Sequence, residues 1–176
     1  MAQLRIPVGS GDHVQGQADA LFTLVEYGDY ECPYCGSAYP IVKDLQKEFG
    51  NRLRFVFRNF PLRERHPHAV TAAETAEFAG ERGKFWEMHD LIFENQRSLS
   101  ERLLGQLAQR LDLDENSLQE SLRSGALSER LATDFSGGVR SGVNGTPTFF
   151  INGARHDASF EFDTLAAAIR GSRRDT

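Results

Sequence analysis

The stretch Leu21-Phe22-Thr23-Leu24-Val25-Glu26-Tyr27-Gly28-Asp29-Tyr30-Glu31-Cys32-Pro33-Tyr34-Cys35 governs the reading of this chain. Its first seven residues are rich in branched and aromatic side chains, the pattern of a buried strand. From Pro33 to Phe49 the pattern turns helical, with Ile41, Leu45 and Phe49 at intervals of four and Gly50 as the stop signal. Leu53-Arg54-Phe55-Val56-Phe57-Arg58 then alternates with period two and reads as a second core strand. Strand, helix and strand in this order make a βαβ unit with a right-handed crossover.

Outward from this unit the chain changes character. Residues 1–12 are polar and glycine-rich and read as a loose arm. From about Pro67 to Gly138 the periodicity is helical throughout. One helix is expected over Ala69–Phe78, ending near Gly80, and a second carries Phe85, Met88 and Ile92 on one face. A third carries Leu104, Leu107 and Leu111, and a short fourth holds Leu118 and Leu122 and stops at Gly125. The fifth shows Leu127, Leu131 and Phe135, with Gly137-Gly138 weakening its end. Strand character returns at Thr148-Phe149-Phe150-Ile151. Asn152-Gly153 is a hairpin signal, and Arg155-His156-Asp157 is the returning strand. A last helix covers residues 162–169, and a charged tail runs from Gly171 to Thr176. The order is βαβ, a helical block, then ββα, an α/β fold.

Composition narrows the function. Hydrophobic residues make up 40% of the 176, enough for a core, and the net charge of -5 comes with no basic, aromatic-interleaved stretch. Nucleic acid is therefore not an expected partner. No apolar run reaches the ~20 residues of a membrane helix, so membrane insertion is not expected. Met1 to Pro7 lacks the apolar core and cleavage site of a leader, so the chain as written reads as cytoplasmic. Removal of a leader would place it in the periplasm or outside the cell.

Both cysteines of the chain fall in Cys32-Pro33-Tyr34-Cys35. A disulfide-stapled scaffold would spread them apart, so this placement points to chemistry. Disulfide exchange needs a thiolate that attacks and a second thiol that resolves the mixed disulfide. A cysteine at a helix N-terminus meets free N–H groups and the positive dipole end, which favour its anion. The second cysteine follows about one turn on, and Pro33 suits the first helical turn. Cys32 is accordingly the expected nucleophile and Cys35 the resolving thiol, with Cys32 more acidic than a free thiol. Half a zinc site is the poorer reading, because His66-Pro67-His68, the one close histidine pair, is spaced too tightly to complete it. No metal is expected.

With these residues in place, the chain resembles the DsbA family of thioredoxin-fold proteins from about Val14 to Ile169. The resemblance is carried by Val25 to Cys35, by Phe57-Arg58-Asn59-Phe60-Pro61-Leu62, by the inserted helical block, and by Val143-Asn144-Gly145-Thr146-Pro147-Thr148-Phe149-Phe150. It implies a thioredoxin fold with an inserted all-helical subdomain: residues 13–62 and 143–170 form the discontinuous thioredoxin-fold domain, and residues 63–142 form the insert. It implies that Pro147 is cis, that Thr146 supplies a backbone contact to bound peptide, and that Glu26 exchanges protons with the resolving thiol. The burial expected in Leu24-Val25-Glu26-Tyr27 agrees, since desolvation raises a carboxyl toward neutral pH. The implied activity is disulfide exchange with protein or peptide thiols, with no cofactor beyond the cysteine pair, a recycling redox partner, and glutathione as a potential reductant.

The dipeptide departs from the family. Strongly oxidising DsbA proteins commonly carry Pro-His between the cysteines, whereas Pro33-Tyr34 is the glutaredoxin dipeptide. Loss of the histidine removes a donor to the thiolate, so an intermediate potential is expected. A reducing, glutathione-buffered compartment favours reductase or isomerase work and an oxidising one favours oxidation. The alternatives are glutaredoxin-like reduction of glutathione mixed disulfides and a peptide-binding module without turnover. Other residues read as scaffold: His66, His68 and His89 as loop or helix-surface residues, Phe85-Trp86-Glu87-Met88 as packing, and Arg58 and Arg63 as solvated.

Overall fold

The computed structural model describes residues 2–172. In chain order the elements are β1 His13–Gln15, β2 Phe22–Gly28, α1 Pro33–Phe49, β3 Leu53–Asn59, α2 Ala69–Gly80, α3 Phe85–Glu94, α4 Glu101–Arg110, α5 Glu115–Ser124, α6 Ser128–Arg140, β4 Thr148–Ile151, β5 Ala154–His156 and α7 Phe162–Gly171. The expected charged tail begins inside α7, and residues 173–176 lie outside the described residues. Among the described residues no helix is long and apolar enough to cross a membrane.

The five strands lie in the order β1-β3-β2-β4-β5. β2 pairs parallel with β3, which requires the α1 crossover, and antiparallel with β4. This is the thioredoxin fold read from the sequence, with α2 to α6 placed between β3 and β4. β1 was not foreseen. It is three half-buried residues at the sheet edge, antiparallel to β3, too short to show a period.

Register assigns each side chain to a face. Leu24, Glu26, Phe55, Phe57, Phe149 and Ile151 face one way, since Glu26 sits opposite Phe57 on one side and Phe149 on the other. That face joins the larger core with Cys35, Ala38, Val42 and Leu45 of α1, Leu165 and Ile169 of α7, and the inner faces of α2 to α5. The other face carries Val25, Tyr27, Val56 and Phe150 in a smaller core with Phe60 and Val143.

Two expectations change on this second face. The arm expected to be loose is docked: Gln3 bridges to Ala154, Leu4 N–H donates to Gly153 O at 2.8 Å, and Leu4 and Val8 pack on the smaller core. Its anchor is Arg58, expected to be solvated but 3% exposed. The Arg58 guanidinium donates to both Asp12 oxygens at 2.7 and 2.9 Å, to Ile6 O and Pro7 O at 2.9 and 3.2 Å, and to Tyr27 Oη at 2.9 Å. Arg58 is the outward position of an alternating strand, but that side of the sheet is covered by the arm. Likewise Gly137-Gly138 does not end α6, which runs on to Arg140. A Cβ on Gly138 would lie 2.7 Å from the Phe60 ring and 3.0 Å from Tyr27. Glycine here lets the helix backbone settle on the aromatics of the sheet.

The helical block is tied to the sheet by polar bonds. Asn59, the last residue of β3, donates from its backbone to Asp134 Oδ2 at 3.0 Å and from its amide to Glu77 Oε1 at 2.7 Å. Arg130 bonds Asp134 at 2.8 Å, and His13 of β1 reaches Glu77 at 2.8 Å. α2 and α6 are thus pinned at the strand end that leads toward the cysteines.

Candidate active site

Cys32 caps the N-terminus of α1 in extended conformation, with Pro33 in the first turn. Its sulfur faces two kinds of partner. The Cys35 thiol donates to it, and burial acts in the opposite sense. The backbone N–H groups of Cys35 and Tyr34 add to the stabilisation of the anion. The net result holds the Cys32 thiol at about 5, far below the free thiol. In the protonated form the Cys32 thiol donates to Thr146 O at 3.4 Å. Tyr34 is 66% exposed and stands open to an approaching chain.

Cys35 is fully buried. Burial, its bond to Cys32 and the nearby Glu26 carboxylate push its thiol well above the usual value, against one N–H donated by Asp29 at 3.4 Å. The two thiols are therefore split, one ionised and one protonated at neutral pH. Glu26 is 2% exposed, and its Oε1 has no hydrogen-bond partner. Burial, with repulsion from the Cys32 thiolate, raises its carboxyl to about 8. Gly28, two residues on and on the same face, keeps this pocket open: a Cβ there would lie 2.4 Å from the Phe57 ring and 3.1 Å from Glu26 Oε1.

The Thr146–Pro147 peptide bond is cis. Thr148 Oγ1 donates to Gly145 O at 2.7 Å and closes the turn that presents Thr146 to Cys32. The residues singled out in the sequence, Glu26, Cys32, Pro33, Tyr34, Cys35, Thr146 and Pro147, thus gather where the C-terminal end of β2, the start of α1 and the loop before β4 meet.

Around them lies a shell the sequence did not reveal. Asp29 accepts from the N–H groups of Glu31 and Leu62, both at 2.8 Å, and pairs with His66 Nδ1 at 2.7 Å. Glu31 pairs with His68 Nδ1 at 2.9 Å and accepts the His68 N–H at 2.5 Å. The histidines assigned to loop surface are latches on the active-site turn. One signal was present: two acids two residues apart match two histidines two residues apart. His89, expected on a helix surface, is 3% exposed and bonds Tyr30 Oη at 3.0 Å among Phe57, Trp86 and Phe93. Burial holds its imidazole well below the ordinary value, so it is neutral. No periodicity marks His89 as inward, because its partner is a tyrosine 59 residues away. Gln96 donates to the carbonyls of Tyr30 and Cys32 at 2.9 and 2.8 Å, and nothing in its surroundings singles it out. Phe85 and Met88 are core, as read, and Arg63 is exposed, as read.

Comparison with known proteins agrees with this geometry. A family model described as "Thioredoxin" matches residues 9–170. Solved structures align along almost the whole chain. BdbD from Bacillus subtilis, in its oxidised form, has 26% identity and a TM-score of 0.86 over 97% of each chain. A thioredoxin-like oxidoreductase from Silicibacter pomeroyi has 26% identity and a TM-score of 0.81, over 96% of this chain and 95% of its own. The α-DsbA1 of Wolbachia pipientis shares the fold, with a TM-score of 0.82 at 17% identity, over 96% of this chain and 93% of its own. Among curated sequences the chain is 48% identical, over 94% of its length, to a protein of Salinispora arenicola named Na(+)/H(+) antiporter NhaA 1. It is 42% identical, over the same share, to one of Herminiimonas arsenicoxydans named Na(+)/H(+) antiporter NhaA. The chain spans 26% of the length of each of these relatives.

Proposed function

The chain belongs to the DsbA-like family of thioredoxin-fold proteins, and from that membership we propose that it is a thiol:disulfide oxidoreductase acting on protein substrates through Cys32 and Cys35. The observation that carries the proposal is the placement of the two thiols: Cys32 caps α1 against the cis Thr146–Pro147 loop and Cys35 is buried behind it, which lowers the first thiol and raises the second. In the reductive direction the Cys32 thiolate attacks one sulfur of a substrate disulfide. A Cys32–substrate disulfide forms, and the other substrate sulfur leaves as a thiolate that takes up a proton. Cys35 then gives its proton to the Glu26 carboxylate and attacks the Cys32 sulfur. The Cys32–Cys35 disulfide forms and the second substrate thiolate leaves. The substrate gains two electrons and the pair loses two, which a recycling thiol partner restores. Oxidation runs the same steps backward. A carboxyl at about 8 can hold or release that proton near neutral pH.

A substrate segment lies beside Thr146 and Pro147 with Tyr34 against it, which brings its cysteine to Cys32. Residues 13–62 and 143–170 carry the chemistry, and residues 63–142 support it. The pair works with no resident cofactor, and glutathione is one candidate reductant. A nucleophile at about 5 lies between those of thioredoxin and DsbA, near 7 and 3.5. The deeper ionisation stabilises the reduced pair and makes it more oxidising than thioredoxin and less oxidising than DsbA. With such an intermediate poise a glutathione-buffered cytoplasm favours reductase or isomerase work, and a periplasmic or extracellular setting favours oxidation.

The experiment is turnover of insulin disulfides against turnover of a glutathionylated peptide, with Cys32→Ser as control. Insulin reduction that vanishes in Cys32→Ser is expected. Turnover of the glutathionylated peptide alone would replace this reading with a glutaredoxin-like one. Equilibration in glutathione buffers checks the potential, and a value beyond either thioredoxin or DsbA refutes the intermediate poise.

One observation favours a second reading. The relatives named as antiporters match this chain over about a quarter of their length, so the groove beside Pro147 would hold a segment of a membrane transporter without turnover. Binding of such a segment by the Cys32→Ser, Cys35→Ser double variant, with no exchange by the wild type, is the outcome that reading requires.

A further inference from the structure

Each residue of the turn Asp29–Cys32 is held from the segment between β3 and β4. Asp29, Glu31 and Tyr30 are gripped through their side chains by His66, His68 and His89. Gln96 differs, because it grips the backbone that carries the nucleophile. Its Nε2 donates to Tyr30 O at 2.9 Å and to Cys32 O at 2.8 Å. Two carbonyl acceptors can be served only by the NH2 end of the amide, since its oxygen donates nothing. The Cys32 carbonyl also takes the Gly36 N–H at 3.0 Å as the first helical bond of α1. Gly36 makes the approach possible: a Cβ there would lie 2.1 Å from Gln96 Oε1.

We propose that Gln96 is a positioning residue of the thiol chemistry, fixing the peptide of Cys32 and offsetting the negative ends of the Tyr30 and Cys32 carbonyls. The proposal rests on the reading of Cys32 as the nucleophile. A carbonyl oxygen carries partial negative charge and opposes an anion nearby, and an N–H donated to it withdraws part of that opposition. Gln96 makes its bonds here to backbone carbonyls and not to the sulfur. It acts through the backbone, and it is a direct hydrogen-bonded link from the helical block to the peptide group of the nucleophile. Gly36 is the complementary half of the contact, a glycine inside a helix where alanine would ordinarily favour the helix.

The test is the pH dependence of iodoacetamide alkylation at Cys32, read by mass spectrometry, in the wild type, Gln96→Leu, Gln96→Glu, Gly36→Ala and the Gln96→Leu, Gly36→Ala double variant. Loss of one or two modest hydrogen bonds should slow alkylation at pH 5 about two- to ten-fold and move the midpoint upward to match. Gln96→Glu should shift it further, since it loses the donors and adds a charge. Gly36→Ala should reproduce the Gln96→Leu shift by displacing the amide while leaving the melting temperature equal or higher. Added to Gln96→Leu it should shift the midpoint no further. An unchanged midpoint in Gln96→Leu and Gln96→Glu, or a full additional shift from Gly36→Ala in the leucine background, overturns the proposal. A wild-type Cys32 that titrates as a free thiol removes both this proposal and the reading beneath it. A low wild-type midpoint with unmoved variants removes this proposal alone.

Discussion

Two buried charged side chains lie on opposite faces of one sheet, and the protein treats them in opposite ways. Arg58, on the smaller core, bonds a carboxylate, two backbone carbonyls and a tyrosine hydroxyl. Glu26, on the larger core, sits between Phe57 and Phe149 with an oxygen bonded to nothing. A buried charge with a full set of partners is architecture, and removing one partner leaves the other stranded. A buried carboxyl left without partners is kept neutral at a cost in stability, and that cost is tolerated where its proton is used. The first face locks the N-terminal arm in place, and the second holds the carboxyl that exchanges a proton with the resolving thiol.

The largest effect should come from the satisfied charge. Arg58→Ala leaves Asp12 buried without its cation, although burial alone would raise that carboxyl and the Arg58 bonds now hold it below its ordinary range. Urea denaturation should show a loss of about 3–5 kcal/mol, while Cys32 alkylation in the folded protein stays at the wild-type rate. A change in Cys32 reactivity would show that the two faces are not independent.

A smaller effect of opposite sign is expected at the unsatisfied one. The Glu26 carboxyl lies at about 8 in the folded protein against 4.5 for the ordinary group. Its folded form favours the proton, so below pH 4.5 it costs nothing. The cost grows as pH rises from 4.5 toward 8, where the folded protein too begins to lose the proton. Glu26→Gln should therefore stabilise the protein by about 2–3 kcal/mol at pH 7, with the gain gone at pH 4. The same variant should accumulate the mixed disulfide, because Cys35 has lost its proton acceptor. A destabilised Glu26→Gln at pH 7, or resolution with an unchanged pH profile, would remove Glu26 from the chemistry.

The asymmetry between these faces also explains what the sequence disclosed. Glu26, Cys32, Cys35 and Pro147 were legible because their signals are local: an acid inside an apolar strand, a cysteine pair opening a helix, a Thr-Pro before a Phe-Phe strand. The helices of the inserted block were legible from leucine spacing, and Gly50 and Gly125 mark helix ends with positive φ, 52° and 68°. Arg58, His89 and Gln96 were not, because each owes its place to partners 31 to 66 residues away. Gly138 misled for the same reason. Its helix-weakening tendency is real, but the contact with Tyr27 and Phe60 that requires it is not written nearby.

The fold separates two chemically identical thiols into an ionised nucleophile and a protonated resolver. Thiolate absorbance followed from pH 3 to 10 in the reduced protein tests this separation most directly. One thiol should titrate at about 5, absent from Cys32→Ser, with no second transition until well above the ordinary thiol value. Two thiols titrating together between about 8 and 9, as free cysteines do, would contradict it.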